Sequence, residues 1–159
     1  MKCSTADLSD DHSENCRVLD LPLKDYGQRL QFYGPIRTVK VHEDNSLVRQ
    51  ALEEKSEGEV LVVDGGGSTR CALLGDRLAT LGRDNGWVGI VIYGSVRDSA
   101  VLQNIEFGVK ALGTNPKKSL KLQEGQRDVP VFFGGVEMAP GGYIYADEDG
   151  ILYSPTALQ

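Results

Sequence analysis

An arginine and an aspartate stand side by side at the end of a short apolar run, "GIVIYGSVRD", in this 159-residue sequence. The run predicts a buried strand that stops at Gly94, so Arg97 and Asp98 would lie in its exit loop. Adjacent opposite charges are commonly an idle surface pair. At the carboxyl end of a strand in an α/β sheet, they instead lie where such folds bind ligands. There Arg97 could hold a ligand oxygen by charge-assisted hydrogen bonds, and Asp98 could ligate Mg²⁺ or Mn²⁺.

A second polar group, "GDRL" at residues 75–78, stands near the predicted start of a helix. Twenty residues separate Asp76 from Arg97, enough for the rest of the helix and a returning strand, so both could reach the same side of the sheet. Free backbone N–H groups at a helix start, with Gly75 allowing close approach, suit a carboxylate ligand. The alternative is a surface helix whose Asp76 and Arg77 are merely solvated. Spacing alone favours that alternative.

The elements that would position these residues alternate between strand and helix patterns. Strands are predicted for "IRTVKVHED", "EVLVVDGGG" and "GIVIYG", and the last two are typical of strands covered on both faces. Strand, helix and strand in this order indicate a βαβ-like unit. Its strand exits, 64–67 and 94–98, would open on one edge.

Three helices are predicted from caps and apolar stripes. Ser4 would cap a short N-terminal helix, and Asp44 or Asn45 would cap an amphipathic one. A third pattern runs through "ALLGDRLATLGRDNG", ends at Asn-Gly, and has an apolar stripe at Leu74, Leu78 and Leu81.

The last third of the chain shows strand-like runs punctuated by Gly, Pro and Asp-Gly, with no strong helix pattern. Its acidic cluster at residues 147–149 could bind a cation, but we predict an exposed hairpin turn.

The stretch "VLVVDGGGS" is similar to the start of a nucleotide or S-adenosylmethionine site. Its spacing differs from G-x-G-x-x-G, and a tight backbone turn is the favoured interpretation.

Composition bounds the class of protein. The length indicates one domain over residues 1–159. The net charge of −6 argues against a surface that binds nucleic-acid phosphates directly. Cys3, Cys16 and Cys71 match no metal or redox spacing, which indicates free thiols in a reducing compartment. No secretory segment opens the chain and no apolar run approaches the ~18 residues that span a bilayer, so we expect a cytoplasmic protein without membrane contact.

The chain resembles the RraA-like family, which contains the regulator of ribonuclease E activity A and the class II 4-hydroxy-4-methyl-2-oxoglutarate aldolases. The resemblance runs nearly end to end, through "STADLSDDH", "GPIRTVKVHEDN", "VLVVDGGGSTRCALLGDRLA", "NGWVGIVIYGSVRD" and "VFFGGVEMAPGGYIYADEDGIL". It implies an α/β fold, a β/β/α swivelling-type sandwich with mixed sheets and flanking helices. It also implies a homotrimer with sites between subunits.

The aldolases of that family carry a D-x20-R-D pattern, which Asp76, Arg97 and Asp98 match. The enterobacterial regulator lacks both aspartates. The resemblance implies that Arg97 binds the substrate keto and hydroxyl oxygens, that Asp98 anchors Mg²⁺ or Mn²⁺, and that Asp76 holds a metal-bound or catalytic water. Backbone donors to the substrate carboxylate would come from Gly75, Asp76, Arg77 and Leu78.

The implied function is a metal-dependent lyase acting on a small 2-oxo acid. It would split 4-hydroxy-4-methyl-2-oxoglutarate into two pyruvates and decarboxylate oxaloacetate through a pyruvate enolate. Longer aldolases of the family reach into a neighbouring subunit with a glutamate on a C-terminal extension, whereas this sequence stops at Gln159. We therefore expect oxaloacetate decarboxylation to be retained more readily than full aldolase efficiency. The alternative is a non-enzymatic regulator that binds and inhibits ribonuclease E, its acidic surface meeting a basic partner.

Overall fold

The computed structural model describes residues 4–158, and over this range the chain forms four helices and twelve strands. The helices are α1 (Thr5–Asp11), α2 (Ser46–Leu52), α3 (Asp76–Asp84) and α4 (Ser99–Leu102). The strands are β1 (Arg17–Val18), β2 (Lys24–Asp25), β3 (Phe32–Lys40), β4 (Val60–Asp64), β5 (Ala72–Leu74), β6 (Gly89–Val96), β7 (Gly108–Thr114), β8 (Gln126–Arg127), β9 (Val131–Phe133), β10 (Val136–Met138), β11 (Tyr143–Asp147) and β12 (Gly150–Ser154). Among the helices in this part of the chain, none is long and apolar enough to cross a membrane.

Ten strands form one mixed sheet in the order β1-β12-β11-β3-β4-β6-β7-β2, with β5 paired to β6 and β8 paired to β3. The central strands β3, β4, β6 and β7 run parallel, as the predicted strand–helix–strand order requires. The β11–β12 hairpin extends the sheet antiparallel from β3. The β9–β10 hairpin forms a separate two-stranded sheet. This arrangement confirms the predicted α/β class with mixed sheets and flanking helices.

Two apolar cores lie on the two faces of the central sheet. Alternate residues of β4 divide between them, because successive side chains of a strand point to opposite faces. Leu61 and Val63 pack in the core that includes α2 and α3. Val60 and Val62 pack in the core that includes the β9–β10 hairpin. All five residues of β4 are buried, which confirms the prediction of a strand covered on both sides.

The third predicted helix begins later than its apolar stripe suggested. Leu74 belongs to β5 and not to the helix, and α3 starts at Asp76 with Gly75 as its N-cap residue. The three-residue strand forms because β5 pairs with the end of β6, a contact that local periodicity does not encode. The strand β6 also runs two residues past the predicted stop at Gly94.

The acidic cluster at residues 147–149 is not simply an exposed turn. Asp147 is buried, and its carboxylate accepts hydrogen bonds from Thr5 N at 2.8 Å and Thr5 Oγ1 at 2.6 Å. Lys110, also buried, donates its Nζ to the Asp147 carbonyl at 2.6 Å. Burial raises the pKa of Asp147, but the bonds from Thr5 and the following turn outweigh it and hold that pKa below its ordinary value. Asp147 therefore anchors α1 to the sheet.

Two of the three cysteines lie within the described residues. Cys16 and Cys71 are both buried and free, as the sequence predicted, and Cys3 lies outside that range. Burial raises the pKa of the Cys71 thiol, which disfavours its reactive thiolate form.

Candidate active site

The segments that follow β5 and β6 meet at one edge of the sheet and carry the predicted site residues. Leu74 of β5 lies opposite Val96 of β6. The pairing extends one residue further, because the Arg97 N–H donates to the Leu74 carbonyl at 2.9 Å. The start of α3 is thereby brought against Arg97 and Asp98, which is the juxtaposition predicted from their spacing.

Asp98 joins the beginnings of two helices. Its backbone is left-handed, with φ 60° and ψ 38°, a conformation that Asp and Asn adopt more readily than most residues. Its Oδ2 accepts the Asp76 N–H at 3.0 Å, which satisfies one free donor at the start of α3. Its carbonyl accepts the Leu102 N–H at 2.8 Å, in the turn of α4. The first bond orients the exposed carboxylate, and the second holds the backbone that bears it.

Gly75 permits this close contact. Its φ of −129° is open to any residue, so the requirement is for space and not for backbone freedom. A Cβ built there would lie 2.7 Å from Asp98 Oδ2 and 3.5 Å from Arg97 Cγ. A side chain at position 75 would therefore displace the Asp98 carboxylate.

These segments border a cavity of about 460 Å³ whose lining is strongly cationic. Five basic side chains and two carboxylates line it, although the whole chain carries a net charge of −6. The basic residues are Arg49, Arg77, Arg97, Lys118 and Lys121. The carboxylates are Asp76 and Asp98. A concave site of this charge in an acidic protein favours small anionic ligands.

Sequence reasoning did not assign residues 115–124 to the site, yet this loop supplies part of the basic lining. Lys118, Ser119 and Lys121 border the cavity. Lys121 Nζ donates to Asn45 Oδ1 at 3.0 Å, and Asn45 Nδ2 donates to the Leu73 carbonyl at 3.3 Å. The basic run "PKKSLK" in an acidic chain was the available signal.

Asp98 and Asp76 are the carboxylates that could hold a cation at this cavity. Within residues 4–158, no group of three or more His, Cys, Asp or Glu side chains is arranged to hold a metal ion by itself. Mg²⁺ often takes only one or two protein carboxylates and completes its shell with waters and substrate oxygens. The hard oxygen donors present are compatible with Mg²⁺ or Mn²⁺ bound in that manner.

The glycine run after β4 forms a tight turn, as the sequence favoured. Gly66 and Gly67 have φ values of 67° and 74°, and the Gly66 N–H donates to Asp64 Oδ1 at 2.9 Å. A Cβ at Gly67 would lie 2.8 Å from the Tyr93 ring. These glycines are required by the turn and by the packing of Tyr93.

A family model described as RraA-like: Aldolase/RraA matches residues 5–153. The chain belongs to the RraA-like family. Its relatives include a protein of Alkalilimnicola ehrlichii that is 55% identical over 99% of this chain and 98% of its own length. A protein of Aromatoleum aromaticum is 51% identical over 99% of each chain. Both relatives carry the name "Putative 4-hydroxy-4-methyl-2-oxoglutarate aldolase".

Two solved structures of similar proteins superpose closely on this RraA-like chain. One, described as S-adenosylmethionine: 2-dimethylmenaquinone methyltransferase from Geobacillus kaustophilus HTA426, has a TM-score of 0.97 and 50% identity, covering 98% of this chain and 97% of that one. The RNA-processing inhibitor RraA from Thermus thermophilis has a TM-score of 0.94 and 48% identity, covering 98% and 94%. These superpositions confirm the fold that the family resemblance implied.

Proposed function

We propose that this chain is a divalent-metal-dependent lyase that splits 4-hydroxy-4-methyl-2-oxoglutarate into two pyruvates and decarboxylates oxaloacetate through a pyruvate enolate. The observation that carries the proposal is the cationic cavity in which Arg97 and Asp98 meet the start of α3. Both substrates are dianionic 2-oxo acids, which such a cavity attracts. The names of the Alkalilimnicola and Aromatoleum relatives add support. The proposed assembly is the homotrimer that the family resemblance implied, and the proposed location is the cytoplasm.

The substrate carboxylate is assigned to the beginning of α3. The first bond within that helix runs from Ala79 N to the Gly75 carbonyl, so the N–H groups of Arg77 and Leu78 have no partner inside the helix. Such groups, together with the helix dipole, favour a bound carboxylate. Asp76 N–H is already occupied by Asp98, which leaves its neighbours as the donors.

Arg97 is assigned to the keto oxygen. Its side chain is exposed at the cavity, and its planar fork can hold two oxygens at once. When the bond to the leaving fragment breaks, negative charge develops on that oxygen as the enolate forms. A guanidinium at this oxygen stabilises the charge more in the transition state than in the ground state, which is the condition for catalysis.

Asp98 is the proposed ligand of Mg²⁺ or Mn²⁺, and Asp76 is proposed to hold the water that exchanges a proton with the substrate. A bound divalent cation supplies Lewis-acid stabilisation and orientation of the substrate oxygens. Asp98 is suited to the ligand role because the start of α3 orients its carboxylate and the turn of α4 holds its backbone. Both carboxylates border the cavity, so neither must move far to act.

A second candidate is inhibition of an RNA-processing enzyme, with ribonuclease E as the partner, and the similarity to the Thermus thermophilis inhibitor favours it. The acidic surface would meet a basic partner by charge complementarity. The two functions differ in what they require of Arg97 and Asp98, because inhibition involves no chemistry in the cavity.

The loop after β4 argues against a methyltransferase function, the activity for which the Geobacillus kaustophilus structure is named. Gly65 and Gly67 both donate their N–H groups to the Tyr93 carbonyl at 3.1 Å. The chain then continues into β5 instead of a helix, whereas a Rossmann-type cofactor site places its glycine loop at a helix N-terminus.

The deciding experiment measures pyruvate release by purified full-length protein from oxaloacetate and from 4-hydroxy-4-methyl-2-oxoglutarate. We expect release with Mg²⁺ or Mn²⁺, its loss after chelation with EDTA, and its return when the cation is restored. Reactions with Mg²⁺ and no protein give the background. Protein that never exceeds this background, yet inhibits ribonuclease E, would replace the lyase proposal with the regulator.

Replacing Gly75 by alanine tests the close contact at the start of α3. We expect kcat/KM for pyruvate release to fall by about tenfold or more, mainly through KM, because the new Cβ crowds Asp98 and the substrate donors. Gly113→Ala is the matched control, since a Cβ there meets nothing closer than Ser95 Oγ at 4.0 Å. A large loss in thermal stability with unchanged KM would show that Gly75 is structural only.

A further inference from the structure

Asp44 is a buried carboxylate that lies outside the cavity and binds the loop bearing the cavity lysines. It is only 1% exposed. Its Oδ1 accepts the Ser46 N–H at 2.8 Å, and its Oδ2 accepts the Leu122 N–H at 2.7 Å and the Glu124 N–H at 3.4 Å. One carboxylate thus connects the start of α2 to a loop far along the chain.

Further bonds align the same two segments. The Leu120 N–H donates to the Glu43 carbonyl at 2.8 Å, and the Asn45 N–H donates to the Leu120 carbonyl at 3.3 Å. Burial raises the pKa of Asp44, but the hydrogen bonds from Ser46, Leu122 and Glu124 outweigh it and leave the pKa below its ordinary value. Asp44 is therefore ionised at neutral pH, with Oδ1 bound to the start of α2 and Oδ2 bound to the loop.

The lysine placed by this anchor is Lys121. Lys121 precedes Leu122, and the Leu122 N–H donates a hydrogen bond to Asp44. The Lys121 Nζ donates to Asn45, the residue after Asp44. Lys121 borders the cavity together with the start of α3. An ammonium held by one hydrogen bond keeps two further donors for a ligand oxygen.

The proposed substrates carry two carboxylates, and the start of α3 accounts for one of them. The second would bear an uncompensated charge in the cavity unless a cation received it. We propose that Asp44 is a positioning residue that fixes Lys121 at the cavity wall, where Lys121 binds the second carboxylate and makes the site selective for dicarboxylic 2-oxo acids. This inference deepens the proposed function and rests on it.

Binding measurements separate this inference from the reaction itself. The probes are 2-oxoglutarate and 2-oxopentanoate, five-carbon 2-oxo acids with and without a second carboxylate, titrated by calorimetry in the presence of Mg²⁺. We expect wild-type protein to prefer the dicarboxylate, and Lys121→Met to weaken its binding by about tenfold while 2-oxopentanoate binding changes less than about twofold.

Asp44→Asn should weaken dicarboxylate binding as Lys121→Met does, although residue 44 does not touch the ligand. Asparagine has the shape of aspartate, but its NH₂ group would face either the Ser46 or the Leu122 N–H, so one side of the anchor must open. If this variant does not fold, Ser46→Ala tests the same anchor, because it removes the hydroxyl that accepts the Gln123 N–H at 3.2 Å. We expect a smaller loss of preference, about threefold, from this weaker change.

Two controls separate positioning from general destabilisation. Asp147→Asn alters another buried aspartate that accepts backbone N–H groups, but far from the cavity, and should lower thermal stability without changing the preference. Lys117→Met removes a neighbouring exposed lysine that does not line the cavity. Wild-type protein that binds both acids equally or neither, or Asp44 and Ser46 variants that keep the full preference, would overturn the inference. A retained preference without any pyruvate release would overturn only the proposed function.

Discussion

We expect Arg97→Lys to lower kcat for pyruvate release from oxaloacetate by about 100-fold, even though the positive charge is kept. Lysine offers a compact ammonium in place of the planar fork, so it cannot hold two oxygens in one fixed geometry. The Arg97 backbone is tied to Leu74 by its N–H, at 2.9 Å, and the substitution leaves that bond in place. The stability of the variant should change little, both because this bond is kept and because the Arg97 side chain is exposed.

Arg83→Lys provides the matched control for this change. Arg83 is an exposed arginine near the end of α3, away from the cavity, and its Nη2 lies 2.9 Å from Asp84 Oδ1. We expect the kcat of Arg83→Lys to stay within about twofold of wild type, since surface substitutions of this kind have small effects. A coupled assay that follows pyruvate at saturating oxaloacetate measures both variants. Equal kcat values for Arg97→Lys and wild type would remove Arg97 from the chemistry.

The parts of the site that sequence could predict are those fixed by local pattern and by chain direction. The apolar runs of β4 and β6 are recognisable from composition, and parallel neighbours must end at the same edge of the sheet. The spacing between Asp76 and Arg97 then brings the two polar groups together. Spacing alone still favoured a solvated helix, and only the family resemblance gave Arg97 and Asp98 their proposed roles.

The parts that sequence could not predict depend on partners distant in the chain. Leu122 is 78 residues from Asp44, and Thr5 is 142 residues from Asp147. Nothing local in "ADEDG" shows whether its first aspartate is buried and accepts hydrogen bonds from the start of a helix, or lies in an exposed turn. The basic loop likewise has no periodicity that would place Lys121 at the cavity. Its backbone is held by hydrogen bonds to Asp44, which lies far away in the sequence.

Asp98→Asn should have the largest effect, a loss of about 1,000-fold in Mg²⁺-dependent pyruvate release, because several kcal/mol of Lewis-acid stabilisation depend on the proposed ligand. Asparagine tolerates the left-handed backbone at φ 60°, and its carbonyl oxygen can still accept the Asp76 N–H. The variant therefore removes the charge while keeping the turn. Alanine would be less informative, since it would also strain the backbone.

Asp128→Asn is the control for Asp98→Asn because it matches both the charge and the conformation. Asp128 also has a left-handed backbone, with φ 57°, and its exposed carboxylate pairs with Arg37 at 3.2 Å, outside the lining of the cavity. We expect it to retain wild-type activity and Mn²⁺ affinity, whereas Asp98→Asn should lose Mn²⁺ binding in a calorimetric titration. If Asp98→Asn instead binds Mn²⁺ as wild type does but no longer releases pyruvate, Asp98 acts on the substrate or its proton and another group holds the cation. Unchanged binding together with unchanged activity would leave the contact between Asp98 and Asp76 as a structural link between two helix starts.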